Sequence, residues 1–229
     1  MVHQRSWLLP SALLLSCCGP SDRSDVQPAD FVIMRDLSTS APLSTDRAFA
    51  ARAAQRVESD LLRQHPMLGD RVLVLAIGAR STHTAIAWEI PLNRQNRPSA
   101  AAALVGRVIA ATPDSPDRGQ AATDILFSLL HTGFSCSARG MIWVVSDGLQ
   151  SDDRDFSRPS GLLNGSADLP APEARRLRGC RIRWLGMGLT SSGTEQFSSA
   201  QLTKLEGAWR RWLIAAGVQP SDIEIISGF

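Results

Sequence analysis

The sequence predicts an α/β fold: a doubly wound, mostly parallel six-stranded sheet with one antiparallel edge strand and helices on both faces. Three observations lead there. Short, continuously apolar runs such as FVIM, VLVLAIG and MIWVV read as strands buried on both sides. Segments with apolar residues at helical spacing lie between most of them. Strands alternating with helices build parallel crossover units, whose helices cover both faces of one sheet.

Taken in chain order, Phe31 to Met34 is the first strand. Ser44 is placed to cap a helix whose inner face is Phe49, Ala53, Val57 and Leu61, and which stops at His65-Pro66 because the residue before a proline leaves helical geometry. VLVLAIG (72–78) is a second buried strand, and TAIAWEI (84–90) runs into Pro91 as an edge strand does. Only ARSTH separates these two, too little for a helical crossover, so they form an antiparallel hairpin. Ser99 to Ala111 is an alanine-rich helix, PDSPDRGQ a loop, and ATDILFSLLH the start of another helix. MIWVVSDG (141–148) is a strand ending in a turn. Residues 149–179 read as irregular, with one short helix in PEARRLR, where Pro172 takes a first-turn position. RIRWLGMG is the next strand. Ser198 with Gln201 makes a capping box for a helix through Ala216 that Gly217 closes, and DIEII (222–226) is the last strand.

A chain of 229 residues, 44% hydrophobic and 20% charged, buries the core of one ordinary domain. Its net charge of +2 falls to about neutral without Arg5, a balance that speaks against nucleic acid as a partner, since such binding rests on clustered positive charge. MVHQRSWLLPSALLLSCC places one basic residue before an apolar run and small residues, the layout of a secretory signal too short to span a bilayer. Leu14-Leu15-Ser16-Cys17 resembles the bacterial lipobox, and that resemblance implies cleavage before Cys17 and acylation (palmitate-type chains) of its sulfur; an ordinary cleavable signal is the alternative. The organisation is then a lipoprotein signal peptide (1–16), a lipidated tether (17–28) and one domain (29–229). Cys18 beside the lipid site favours the outer membrane, with the domain facing the periplasm. Export reaches an oxidising compartment, where Cys136 and Cys180, each just before an apolar strand, are bridged if those strands are neighbours; two buried free thiols are the other reading.

In sheets of this kind ligands bind outside the carboxyl ends of the strands. Three polar clusters fall there: Asp36, Ser38 and Ser40; Thr123 with Asp124; and Asp147-Gly148. Together they form an all-oxygen donor set suited to a hard cation. Asp36-Leu37-Ser38-Thr39-Ser40, Thr123 in GQAATDIL and Asp147-Gly148 resemble the metal-ion-dependent adhesion site of the von Willebrand factor A (VWA) domain family, and the likeness spans 29–229. It implies a VWA, Rossmann-like fold. It also implies Mg²⁺, or Mn²⁺ or Ca²⁺ in its stead, held directly by Ser38 and Ser40, directly or through water by Thr123, and mainly through water by Asp36 and Asp147. Arg35 departs from the family's small or apolar residue and is placed to pair with Asp36; Ala41 replaces a common methionine, and Gly119 is offset from Thr123.

No nucleophile elbow or P-loop is present, and position 38, where aspartate-based phosphoryl-transfer enzymes carry a second acid, is serine. Trp209 and Trp212 read as core, and the arginines from Arg175 to Arg183 as solvated faces. The expectation is a non-enzymatic, lipid-anchored module that binds a protein partner's carboxylate through the metal. A metal-dependent hydrolase or phosphatase, or a metal-free structural subunit of an envelope assembly, are the alternatives.

Overall fold

The computed structural model describes residues 27–78, 86–114, 123–151, 158–173, 175–189 and 197–227. The signal peptide, Cys17, the ARSTH connection and most of PDSPDRGQ lie outside the described residues. The elements run β1 (Asp30–Asp36), α1 (Pro42–Thr45), α2 (Arg47–Arg63), β2 (Arg71–Ile77), β3 (Ile86–Pro91), α3 (Pro98–Ala110), α4 (Ile125–His131), β4 (Met141–Val145), α5 (Arg158–Asn164), β5 (Ile182–Leu185), α6 (Ser199–Ala215) and β6 (Ile223–Ile226). They form one six-stranded sheet in the order β3-β2-β1-β4-β5-β6. All neighbours are parallel except β3, which pairs antiparallel with β2 at the edge.

The central strand shows why its sequence is apolar without alternation. Phe31 and Ile33 face one core with Phe49, Val57 and Leu61 of α2 and Val105 and Ile109 of α3. Val32 and Met34 face the other, with Ile125 and Leu129 of α4 and Trp209 and Leu213 of α6. A strand buried on both faces has no position left for a polar residue until it reaches the rim. Trp209 and Trp212 lie in this second core, each indole N–H donating to a backbone carbonyl, of Gly148 and Pro170 respectively.

The lower end of the sheet is clamped by buried acids. Asp30 accepts from Nε and Nη2 of Arg71 at 2.9 and 2.8 Å and from the backbone N–H of Ser135 at 2.8 Å. Asp70 accepts from Ala29 and Met67 N–H groups at 2.9 and 2.7 Å and pairs with Arg139. Cys136 and Cys180 form a disulfide at the same end, with Cα atoms 4.5 Å apart.

Two expectations are corrected. Ser44 does not cap the second helix; Asp46 does, accepting from Ala48 and Phe49 N–H, while Ser44 sits in the short α1 and donates to the Asp36 carbonyl. An ionised acid at the N-cap satisfies two orphan donors and meets the helix dipole, so it wins over the nearby serine. Among the described residues of 149–179 the helix is Arg158–Asn164 rather than in PEARRLR, whose residues from Arg175 on form turns, with Arg175 at φ 65° and Leu177 anchored in the core. PEARRLR offers Leu177 alone as a large apolar anchor, whereas a helix needs a recurring stripe.

Breaking the Cys136–Cys180 bridge opens a 44-residue separation. By the chain-entropy account its reduction should cost about 4 kcal/mol of unfolding free energy. Urea denaturation with and without reductant measures this, and thiols that alkylate before reduction would refute the bridge.

Candidate metal centre

The three predicted clusters converge because β1 and β4 are parallel neighbours that end at one rim. Asp36, the last residue of β1, is fully buried. Its Oδ1 accepts from the Ser38 N–H at 2.9 Å and the Thr123 hydroxyl at 3.5 Å, and its Oδ2 from the Ser146 hydroxyl at 2.6 Å. The first of these bonds is an Asx-type turn, local chemistry that an aspartate at the end of a strand provides for itself. It folds the chain back so that the Ser38 and Ser40 hydroxyl oxygens lie 3.2 Å apart.

Thr123 is set by the segment that follows β4. Its N–H donates to the Ser151 hydroxyl at 3.0 Å, and the Ser151 N–H donates to its carbonyl at 2.8 Å. Asp124 caps α4 by accepting from Phe127 N–H and also accepts from the Gln150 amide, whose own oxygen takes the Leu126 N–H. Ser146 bridges the remaining gap. Its hydroxyl donates to Asp36 and accepts from the Gly148 N–H at 3.0 Å, with Gly148 in the left-handed region at φ 82°. A Cβ there would also lie 3.3 Å from the Met187 side chain.

Asp147 is equally buried. Its Oδ1 accepts from the Leu149 N–H at 2.8 Å, while its Oδ2 has no hydrogen-bond partner. Burial first, and then the charge of Asp36, push its carboxyl up to about 8, against the Leu149 N–H and the Ser40 hydroxyl. Burial also raises Asp36, opposed by its bonds from Ser146, Ser38 and Thr123. No arginine or lysine among the described residues pairs with either acid. Arg35 in particular is not the partner of Asp36. Strand alternation turns it to the opposite face, where Nη1 donates to Thr112 at 3.2 Å and the guanidinium lies over Trp88.

Asp36, Ser38, Ser40, Thr123 and Asp147 are thus brought together. Two buried acids, three hydroxyls and an orphaned carboxylate oxygen fit a hard cation, which would supply the missing positive charge. Among the described residues no group of three or more His, Cys, Asp or Glu side chains gathers to hold a metal, at this rim or anywhere else; the set here has two acids and otherwise hydroxyls. Ser146, Gln150 and Ser151 were missed from sequence. Ser146 alone carried a signal, a hydroxyl at the strand end directly before the Asp-Gly pair.

No family profile matches the chain, and no curated protein matches it in sequence. Among solved structures it is similar to the pilus adhesin SpaC from Lactobacillus rhamnosus GG. In an open conformation of SpaC the TM-score is 0.44 at 12% identity, covering 89% of this chain and 28% of that one. A second SpaC structure gives 0.44 at 15% identity, covering 90% and 29%.

The raised Asp147 sets a pH dependence. Between its ordinary 3.8 and about 8 the folded chain keeps a proton that the unfolded chain has released, so metal-free stability falls as pH rises through that window. Thermal denaturation in chelator at pH 5.5 and 8 should show a higher midpoint at 5.5, and Asp147→Asn should flatten the difference. Ser146→Ala should cost about 2 kcal/mol in urea denaturation, since it strips one bond from buried Asp36 and leaves the Gly148 N–H unmet.

Proposed function

We propose that this chain is a lipid-anchored envelope module of the VWA type that holds a protein partner through Mg²⁺ at the rim of its sheet. The observation that carries this reading is the buried, partnerless Oδ2 of Asp147 beside a second buried acid. A carboxylate in that position either stays protonated or meets a cation. Ser38 and Ser40 would hold the metal directly, Thr123 directly or through water, and Asp36 and Asp147 mainly through water. When bound, the ion would offer an open coordination position to a carboxylate from the partner.

This chain's own residues do the positioning. Ser146 and the Ser38 N–H hold Asp36 still, and Ser151 fixes the Thr123 backbone. Thr39 is exposed and Ser40 half-buried, so the serine loop is where the centre meets solvent and an approaching partner. With hydroxyls rather than carboxylates as its direct ligands, the ion would stay electrophilic toward a partner's oxygen. The role is binding rather than turnover. The domain faces the periplasm, with the outer membrane the favoured address.

A metal-free structural subunit is the second reading, favoured by one observation: both oxygens of Asp36 already accept hydrogen bonds within the protein.

Calorimetry with Mg²⁺ on the purified chain should show one binding event that Asp36→Ala and Ser38→Ala abolish. Affinity should rise from pH 6 to 8 as Asp147 releases its proton. Crosslinked partners should be lost on adding chelator. Capture that survives chelator would favour the metal-free subunit, and phosphate- or ester-substrate turnover that vanishes with Asp36→Asn would favour a hydrolase.

A further inference from the structure

At the end of the sheet opposite the candidate metal centre, two loops are zipped together. Gly69 N–H donates to the Leu92 carbonyl and Leu92 N–H to the Asp70 carbonyl, both at 2.8 Å, while Asn93 Oδ1 ties down the N–H groups of Gln95 and Asn96. On this base Leu62, Met67 and Leu68 stand 40%, 42% and 60% exposed, half of the exposed large hydrophobics among the described residues. Leu62 and Leu68, with Arg94, Arg97, Pro98 and Ser99, line an open hollow of about 570 Å³.

The charge around this apolar patch is one-sided. Arg94 and Arg97 are exposed, and neither forms an ion pair among the described residues. The acids nearby are already committed: Asp30 to Arg71, Asp70 to Arg139, Asp60 to Arg56, Arg63 and Arg183, and the half-exposed Glu89 to Arg71. Apolar side chains among unpaired arginines are what a surface of anionic headgroups over hydrocarbon takes.

The chain's path singles out the same end. The Gln27 carbonyl accepts from Arg139, whose other nitrogen holds Asp70, so the described chain begins beside the patch. Before any cleavage the preceding segment contains the apolar run from Trp7 to Leu15, and after cleavage it is the tether that begins at Cys17.

We propose that Leu62, Met67, Leu68, Arg94 and Arg97 form a docking face for an anionic phospholipid bilayer, seating the domain with its lower end on the membrane. Each seven-residue strand spans roughly 20 Å, so docking here holds the Asp36 rim about that far above the headgroups and turned toward solution. The inference needs neither the metal nor the lipid on Cys17.

Hydrogen exchange of the full chain on vesicles tests it. Vesicles containing phosphatidylglycerol should slow exchange at 67–69 and 93–97, while pure phosphatidylcholine vesicles, which the apolar N-terminal segment of the uncleaved chain can also enter, should not, and residues 38–40 should be unchanged on both. Half-molar salt should erase the difference. Arg94→Glu with Arg97→Glu should cut the protection at least about 5-fold, as expected for reversing charges that each interact with the surface. Leu68→Ser should weaken it without altering fold, since that side chain is mostly exposed. Equal protection on both vesicle types, protection that survives the double charge reversal, or none on either vesicle would overturn the proposal, the last leaving the patch to a protein partner. None of these readouts involves Mg²⁺, so their failure is separate from failure of the metal reading.

Discussion

The structure turns on Asp36. It is the one fully buried acid that closes the central strand, and it gathers hydrogen bonds from three separate stretches of chain: Ser38 beside it, Thr123 before α4 and Ser146 at the end of β4. A charge taken out of water costs several kcal/mol unless its partners are in place, so those stretches can only fold together. Ser151 and Gln150 extend the tie by fastening the Thr123 loop to the segment beyond Asp147. A centre built this way is preorganised: its donors are held by one another before any ligand arrives.

Asp147 is the deliberate imbalance in that arrangement. Its own burial, and then its neighbour's charge, leave it better off protonated, with one carboxyl oxygen left without a donor. Arg35 could have supplied a counter-charge from the next position. Instead the pleat of β1 sends it to the other face, against Thr112 and Trp88, and the rim remains acidic.

Much of this was readable from residues alone, for physical reasons that differ by element. The buried strands announced themselves because a strand covered on both faces must be apolar at every position, and the α6 cap because Ser198 and Gln201 satisfy each other's backbone donors. Asp36, Ser38 and Ser40 share one turn, so their spacing carried their geometry. Thr123 and Asp147 come from distant segments and could be placed only through the topology. Ser146, Gln150 and Ser151 stayed hidden because a serine or glutamine looks the same whether it faces water or closes a buried network. The Ser44 and Asp46 exchange is a contest between two adequate caps that charge decides, and α5 escaped notice because only Gly161 and Leu162 of its residues are buried.

The two ends of the sheet are secured by separate means. Asp30, Asp70 and the bridge between Cys136 and Cys180 hold the bottom; Asp36 and its hydroxyl donors hold the top; the hydrophobic layers between them are indifferent to both. Such a division of labour makes the molecule modular for evolution. Residues around the serine loop can drift while the foundation stays intact, and the foundation can change without retuning the rim above it.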